Sequence, residues 1–272
     1  MSAADRWREA LRAWAIPDEI LAAAPESPYG FPTEPFRRRA ELAAAADAPT
    51  PTTTRELEAL AEGGTVLDVG VGSGATSLPL AKRVSRIVGV DGSEGMLESF
   101  GAAARAAGVA FDAIQGAWPE VAPDVAAADV VVCGHVLYNV QVLEPFVREL
   151  TTHARRRVVV ELTDRHPWSW MHDLWIRFHR LERPQGPTAE DAEDVLRELG
   201  LDPRLEDRVE TGTGGFERRA DAVALVRRRL CVSAESDGEI AGALGDRLAK
   251  RDGLWSAGPT AQRIVTMWWD AG

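Results

Sequence analysis

The sequence predicts an α/β fold, a mostly parallel sheet with helices on both faces, and two observations carry that prediction. From residue 65 onward, apolar β-type runs alternate with helix-like segments, the pattern of strands joined by crossover helices. The first run, Thr65-Val66-Leu67-Asp68-Val69, passes directly into Gly70-Val71-Gly72-Ser73-Gly74. A buried strand, a glycine turn and a helix start form a nucleotide-binding βα unit. Glycine lets the backbone bend sharply and approach a ligand where a Cβ would collide.

Residues 5–24 read as two short helices broken at Pro17, with Trp7, Leu11 and Trp14 on one face. Residues 25–32 are turn-rich and aromatic, and Thr33 is placed to cap a helix containing Phe36 and Leu42. Pro49-Thr50-Pro51 reads as a linker before a helix over about 52–62. Strands are predicted near 65–69, 86–90, 109–115, 128–133 and 156–162, with helices near 75–84, 94–107 and 141–152. Thr188 and the acidic turn after it open a helix that Gly200 stops. A strand near 203–210, the loop 212–215 and helices over about 218–230 and 236–250 follow. Arg263–Trp269 reads as the last strand.

Composition bounds the function. The chain has 272 residues, 45% of them apolar, enough for one large domain or a domain with additions. No apolar run approaches the roughly 20 residues that span a bilayer, and the N-terminus lacks the apolar core of a signal peptide. The two cysteines, Cys133 and Cys231, make no disulfide framework or metal-ligand spacing, so a cytoplasmic protein without a metal is expected. A net charge of −11 disfavours nucleic acid as a partner. Three arginine clusters (Arg37–Arg39, Arg155–Arg157, Arg227–Arg229) read as solvated element ends, although they leave an RNA partner open.

The glycine spacing selects the ligand. A dinucleotide fingerprint is G-x-G-x-x-G, whereas here it is G-x-G-x-G with Asp68 two residues ahead. That form resembles motif I of the class I S-adenosylmethionine-dependent methyltransferases, D/E-x-G-x-G-x-G. The run Arg86-Ile87-Val88-Gly89-Val90-Asp91 ends in an acid placed to accept both ribose hydroxyls. Asp91-Gly92-Ser93-Glu94-Gly95-Met96-Leu97 is similar to the family's D-x-S-x-x-M-L continuation.

The resemblance implies a Rossmann-like, seven-stranded, mostly parallel sheet whose seventh strand is antiparallel. It implies S-adenosylmethionine as cofactor, held by Asp68, Gly70, Gly72, Gly74, Asp91, Gly92, Met96 and Gly134. Asp68 would meet the methionine ammonium. Many members carry an acid after the third strand's glycine; this chain has Ala117, with Trp118 beside it as an adenine platform. Residues 1–51 are expected to form an N-terminal helical lid, with Tyr29, Phe31 and Phe36 as its covering aromatics. Residues 52–272 would form the methyltransferase domain, carrying a helical insert at about 216–257 before the last strand.

His135 and His166 fall at adjacent strand tips and titrate in the range a general base needs, with Tyr138 as an orienting partner. On the helix after Pro167, Trp168, His172, Trp175 and His179 share a face; the first turn is assigned to the pocket and the rest to core. The expected reaction is methyl transfer to a hydroxyl or amine of a small molecule. An RNA or protein methyltransferase and a non-catalytic S-adenosylmethionine-binding module are the alternatives. The extra helices and tryptophans leave a homodimer contact open.

Overall fold

The structure is a computed structural model and describes residues 1–30, 32–211, 215–251 and 253–272. The lid aromatic Phe31 and most of the 212–215 loop therefore lie outside the described residues. Four helices come first: α1 (Ala3–Arg12), α2 (Asp18–Ala23), α3 (Thr33–Ala44) and α4 (Pro51–Ala59). Alternating elements follow: β1 (Gly64–Val69), β2 (Val84–Asp91), α5 (Glu94–Ala107), β3 (Ala110–Gln115), β4 (Ala128–Gly134), α6 (Leu143–His153) and β5 (Ala154–Thr163). Then come α7 (His172–His179), α8 (Ala189–Glu198), β6 (Arg204–Glu210), α9 (Arg219–Arg229), α10 (Asp237–Leu244), β7 (Leu248–Arg251), β8 (Leu254–Ala257) and β9 (Gln262–Asp270).

Local chemistry sets several boundaries. Ser93 caps α5 by accepting from the Met96 N–H, and Gly108 closes it in the left-handed conformation. Thr188 and Asp191 form a reciprocal capping box at the start of α8. Thr50 caps α4, whose first residue is a proline that loses nothing there.

Seven strands form one sheet in the order β3-β2-β1-β4-β5-β9-β6. The pairs β1–β2, β1–β4, β2–β3 and β4–β5 are parallel, while β9 runs antiparallel to both β5 and β6. This is the Rossmann-like sheet with a reversed final strand. Apolar residues cover both faces: Leu67, Val131, Val158 and Met267 pack into one core, Val66, Val130, Val159 and Trp268 into the other. A third cluster joins α7, α9 and α10 through Leu174, Trp175, Val226 and Ile240.

Three expectations need correction. The helix predicted over 75–84 is a run of turns around a 3-10 segment, Leu78–Leu80. Pro79 brings no N–H to a helical ladder, and the bonds Leu80 N–H to Ser77 O and Ala81 N–H to Leu78 O are short-range. The helix predicted over 236–250 stops at Leu244; Gly245 turns with φ +52°, and β7 and β8 then pair as a hairpin. The insert at 216–257 is therefore helical and hairpin together.

The segment 1–51 is not uniformly a lid. α1 packs against α8, where Arg6 pairs with Asp194 and the Ala3 N–H donates to Glu198. Trp7 is fully buried, and its Nε1 donates to the Val140 carbonyl at 2.8 Å. Among the described residues of this segment, only α3 and its flanks line the cleft, with α3 packed on α5 and on the Leu78–Leu80 turn.

Candidate active site

The parallel strands end on one edge of the sheet, and a cavity of about 1390 Å³ runs along that edge. Its first half lies over the tips of β2, β1 and β4, and is lined by Gly70, Gly72, Ser73, Asp91, Gly92, Met96, Ala117, Trp118 and Gly134. The second half lies over β5, β9 and β6, where Glu161, Thr163, Ile264, Gln262, Arg208 and Glu210 face it. Trp168, Trp170, Leu225 and Pro259 wall this half, while Tyr29, Phe36 and Arg39 come from α3 and its approach.

Gly70 and Gly72 require glycine. Their φ angles are +75° and +52°, a region that costs side-chain-bearing residues roughly 1–2 kcal/mol. A Cβ on Gly70 would sit 2.2 Å from Val136 Cγ2, so this residue permits close packing. One on Gly72 would meet only Phe36 Cδ1 at 4.0 Å and would project into the cavity, leaving a cradle suited to a ligand.

Asp91 fixes this turn. One carboxylate oxygen accepts the Gly72 N–H and the other the Ser93 N–H, both at 2.9 Å. Each oxygen retains acceptor capacity towards the cavity. Asp91→Ala is expected to weaken cofactor binding by roughly 1–3 kcal/mol, read by calorimetry. Unchanged affinity would mean the ribose is held elsewhere.

Two residues assigned to the cofactor stand apart from the cavity. Gly74 faces the core: a Cβ there would lie 2.7 Å from Leu78 Cδ1 and 3.0 Å from Phe100 Cδ2. Asp68 is 1% exposed and does not line the cavity, because strand alternation turns it beneath the turn. Among the described residues no hydrogen bond of ordinary length reaches its oxygens, and Ser77 lies beside it. Burial raises its pKa to about 7, Ser77 opposes the rise and the Asp91 charge adds to it. Glu56 on α4 is also fully buried; burial and then the charges of Asp68 and Glu161 raise its pKa.

A carboxyl raised in the folded state holds a proton that the unfolded chain releases. Stability is therefore lost as pH rises from the ordinary carboxyl range through about 7. Asp68→Asn should flatten the dependence of Tm on pH in that window for the cofactor-free protein. A wild-type slope retained in the variant would refute this origin.

Trp118 is 9% exposed, with its indole N–H donating to the Phe146 carbonyl and its ring edge-on to His153. It presents one part to the cavity from a fixed position in the core.

The candidate catalytic residues separate. Tyr138 is buried, stacks on Trp7 and donates to the Thr163 carbonyl at 2.7 Å. Burial raises its pKa further, and it does not line the cavity. His166 stacks on Trp14 at 3.7 Å, and burial followed by the charges of Arg183 and Arg229 drops its pKa to about 3. It too lies behind the wall. Both pack against the N-terminal arm and away from the cavity, contrary to the catalytic role expected of them. Trp175 and His179 pack away from the cavity, while Trp168 and Trp170 line it.

His135 alone of the three faces the cavity. It follows β4 with φ +60°, and its N–H donates to the Glu161 carbonyl at 2.6 Å. Its side chain is 27% exposed and lines the cavity. Burial lowers its pKa and Arg39 lowers it further, while Glu161 and Glu210 oppose. Nε2 lies 3.0 Å from Glu161 Oε1 and 2.7 Å from Arg39 Nη2.

Glu161, Arg208 and Glu210 escaped the sequence reading, and Arg39, read there as part of a solvated cluster, points instead at His135 and Glu161. The Glu161 side chain is 8% exposed and its Oε2 accepts from Thr52 and from Arg208 at 2.9 Å. Burial works to raise its pKa, but His135, Arg39 and Arg208 outweigh it and hold the carboxyl well below the usual range. An acid closing the apolar run Val158-Val159-Val160 was the available signal.

Residues 66–157 match a family described as methyltransferase domain. Over those residues the chain matches a methyltransferase domain, and the sheet that contains them has the Rossmann-like order with a reversed final strand. The cofactor of that domain is S-adenosylmethionine, and the open cradle at Gly72 beside Asp91 fits it. No curated protein matches the chain. Solved structures share the fold. A putative methyltransferase from Bacillus halodurans is 14% identical with a TM-score of 0.53, covering 82% of this chain and 99% of its own. The YcgJ protein from Bacillus subtilis is 15% identical with a TM-score of 0.51, covering 80% and 97%. A cyclopropane-fatty-acyl-phospholipid synthase-like protein from Lactobacillus casei is 14% identical with a TM-score of 0.51, covering 93% and 98%.

Proposed function

We propose that this methyltransferase acts on a hydroxyl or amine of a small molecule, with His135 as the proton acceptor. The supporting observation is the second half of the cavity. It continues the cofactor cradle past Gly134 into a space with Trp168, Trp170 and Pro259 on one side and His135, Glu161 and Arg208 on the other. At about 1390 Å³ the whole cavity exceeds the roughly 300–1,000 Å³ of a single ligand site, so there is room for an acceptor beside the cofactor.

S-adenosylmethionine, when bound, supplies an electrophilic methyl group. The chain's own contribution is positioning and proton management. The indoles hold an apolar or aromatic body, and His135 stays unprotonated at neutral pH. The arginine clusters favour a small molecule over RNA. Arg37 and Arg38 pair with Glu34, Arg227 and Arg228 with Glu26, and Arg157 with Asp270. No helix among the described residues is long and apolar enough to cross a membrane.

The test is calorimetry with S-adenosylmethionine and S-adenosylhomocysteine, followed by transfer of labelled methyl to a panel of aromatic hydroxyl and amine compounds. Cofactor binding with turnover in the panel supports the reading. Binding without turnover there, together with salt-sensitive methylation of RNA or protein, would replace it.

A further inference from the structure

We propose that Arg39 and Glu161 compete for Nε2 of His135, so that the seating of α3 decides whether His135 can take the acceptor's proton at Nδ1. The proposal rests on the methyltransferase reading above and adds a control step to it.

A neutral imidazole has one N–H and one lone pair. Both neighbours converge on the same nitrogen: Arg39 Nη2 lies 2.7 Å from Nε2, and Glu161 Oε1 lies 3.0 Å from it. Their demands are opposite, since a guanidinium only donates and a carboxylate only accepts. With Arg39 donating, Nε2 offers its lone pair and the proton sits on Nδ1. His135 can then only donate towards the cavity. With Glu161 accepting, the proton sits on Nε2 and Nδ1 carries the free pair. Among the described residues Nδ1 has no hydrogen bond, and the ring lines the cavity.

The second state has its parts in place. Thr52 and Arg208 occupy Oε2 of Glu161, while Oε1 faces His135 at 3.0 Å and Arg39 Nη2 at 3.5 Å. Arg39 has another destination, since Glu210 Oε2 is already 3.5 Å from its Nη2. Giving up its contacts with Nε2 and with Glu161 Oε1 while tightening the one to Glu210 releases Nε2. In that state the acceptor's O–H bond breaks and an Nδ1–H bond forms. The electron pair stays on oxygen, Glu161 steadies the imidazolium, and the proton later passes to water. Exchange between the two neutral forms moves one proton to water and one from it, with no net change.

Arg39 reports on α3, which covers the cradle. Phe36 lies over Gly72, and Thr33 Cγ2 would be 3.7 Å from a Cβ on Gly95. Arg38 ties the same helix to Glu217 of the insert at 2.7 Å. Arg39 is accordingly a positioning residue: it acts on the reaction through His135. The charged groups facing His135 are Arg39 from α3, Glu161 from β5 and Glu210 from β6.

The full chain labelled with 15N-histidine and saturated with S-adenosylhomocysteine tests this by long-range 15N–1H spectroscopy, with His135→Asn assigning the signal. Wild type should show the Nδ1–H form. Arg39→Met should convert it to the Nε2–H form and raise the titration midpoint by on the order of one pH unit. Glu161→Gln should keep Nδ1–H and lower the midpoint. An unchanged tautomer in Arg39→Met, or midpoints moving the same way in both variants, overturns the proposal. Should the buried Glu161→Gln fail to fold, the Arg39→Met arm decides alone. Calorimetry on the same samples separates the two levels: absent S-adenosylhomocysteine binding condemns the methyltransferase reading, whereas binding with an unmoved His135 condemns only the switch.

Discussion

Gly72→Val should abolish S-adenosylmethionine binding while the protein stays folded. The position combines φ +52° with open cavity: the nearest atom to an added Cβ is Phe36 Cδ1 at 4.0 Å. The added Cβ therefore strikes no protein backbone, and the valine side chain is directed at the volume meant for the ligand. The left-handed conformation costs roughly 1–2 kcal/mol, which a domain stabilised by about 5–15 kcal/mol survives. Gly70→Val is the contrast. Its Cβ would lie 2.2 Å from Val136 Cγ2, so that variant should lose stability as well as binding. Calorimetry and circular dichroism melting read the two quantities separately. Wild-type affinity in Gly72→Val would remove the cradle from the cofactor site.

His135→Asn should lower methyl transfer by roughly 10²- to 10⁴-fold, the usual contribution of a positioned general base, with cofactor affinity unchanged. Asparagine is the informative replacement because it tolerates φ +60° better than most residues, so the bend between β4 and the following turn is kept. The pH profile supplies an independent sign. Wild-type kcat/KM should rise with pH as the imidazole loses its proton. The midpoint should fall below the usual histidine value of 6.5, because burial and Arg39 together outweigh Glu161 and Glu210. That limb should vanish in the variant. A profile identical in both proteins would show that the acceptor needs no proton removed by His135.

How much of the site the sequence revealed follows from the range of the interactions involved. Gly70, Gly72, Asp91 and Met96 lie between the end of β1 and the first turn of α5, where short-range turn chemistry places them together. The same nearness misled at 75–84, where a helix-like pattern of Ala75, Leu78 and Leu80 yields to Pro79. Asp68 kept its motif position, but a strand's period of two turned it beneath the cradle. His166 and Tyr138 looked catalytic because they follow strand tips. Their surroundings are set by Trp14 and Trp7, more than 120 positions earlier in the chain.

The sequence by itself determined the α/β layering, the glycine cradle and the acid beside it. Each arises from neighbours along the chain, through strand periodicity and the backbone freedom of glycine. Only the tertiary structure decided what meets the acceptor. Arg39 from α3, His135 after β4, Glu161 from β5, and Arg208 and Glu210 from β6 meet because the strand order β4-β5-β9-β6 gathers their tips under α3. No local pattern encodes that meeting, because each charge becomes meaningful only when its partners, folded against it from distant positions, replace water.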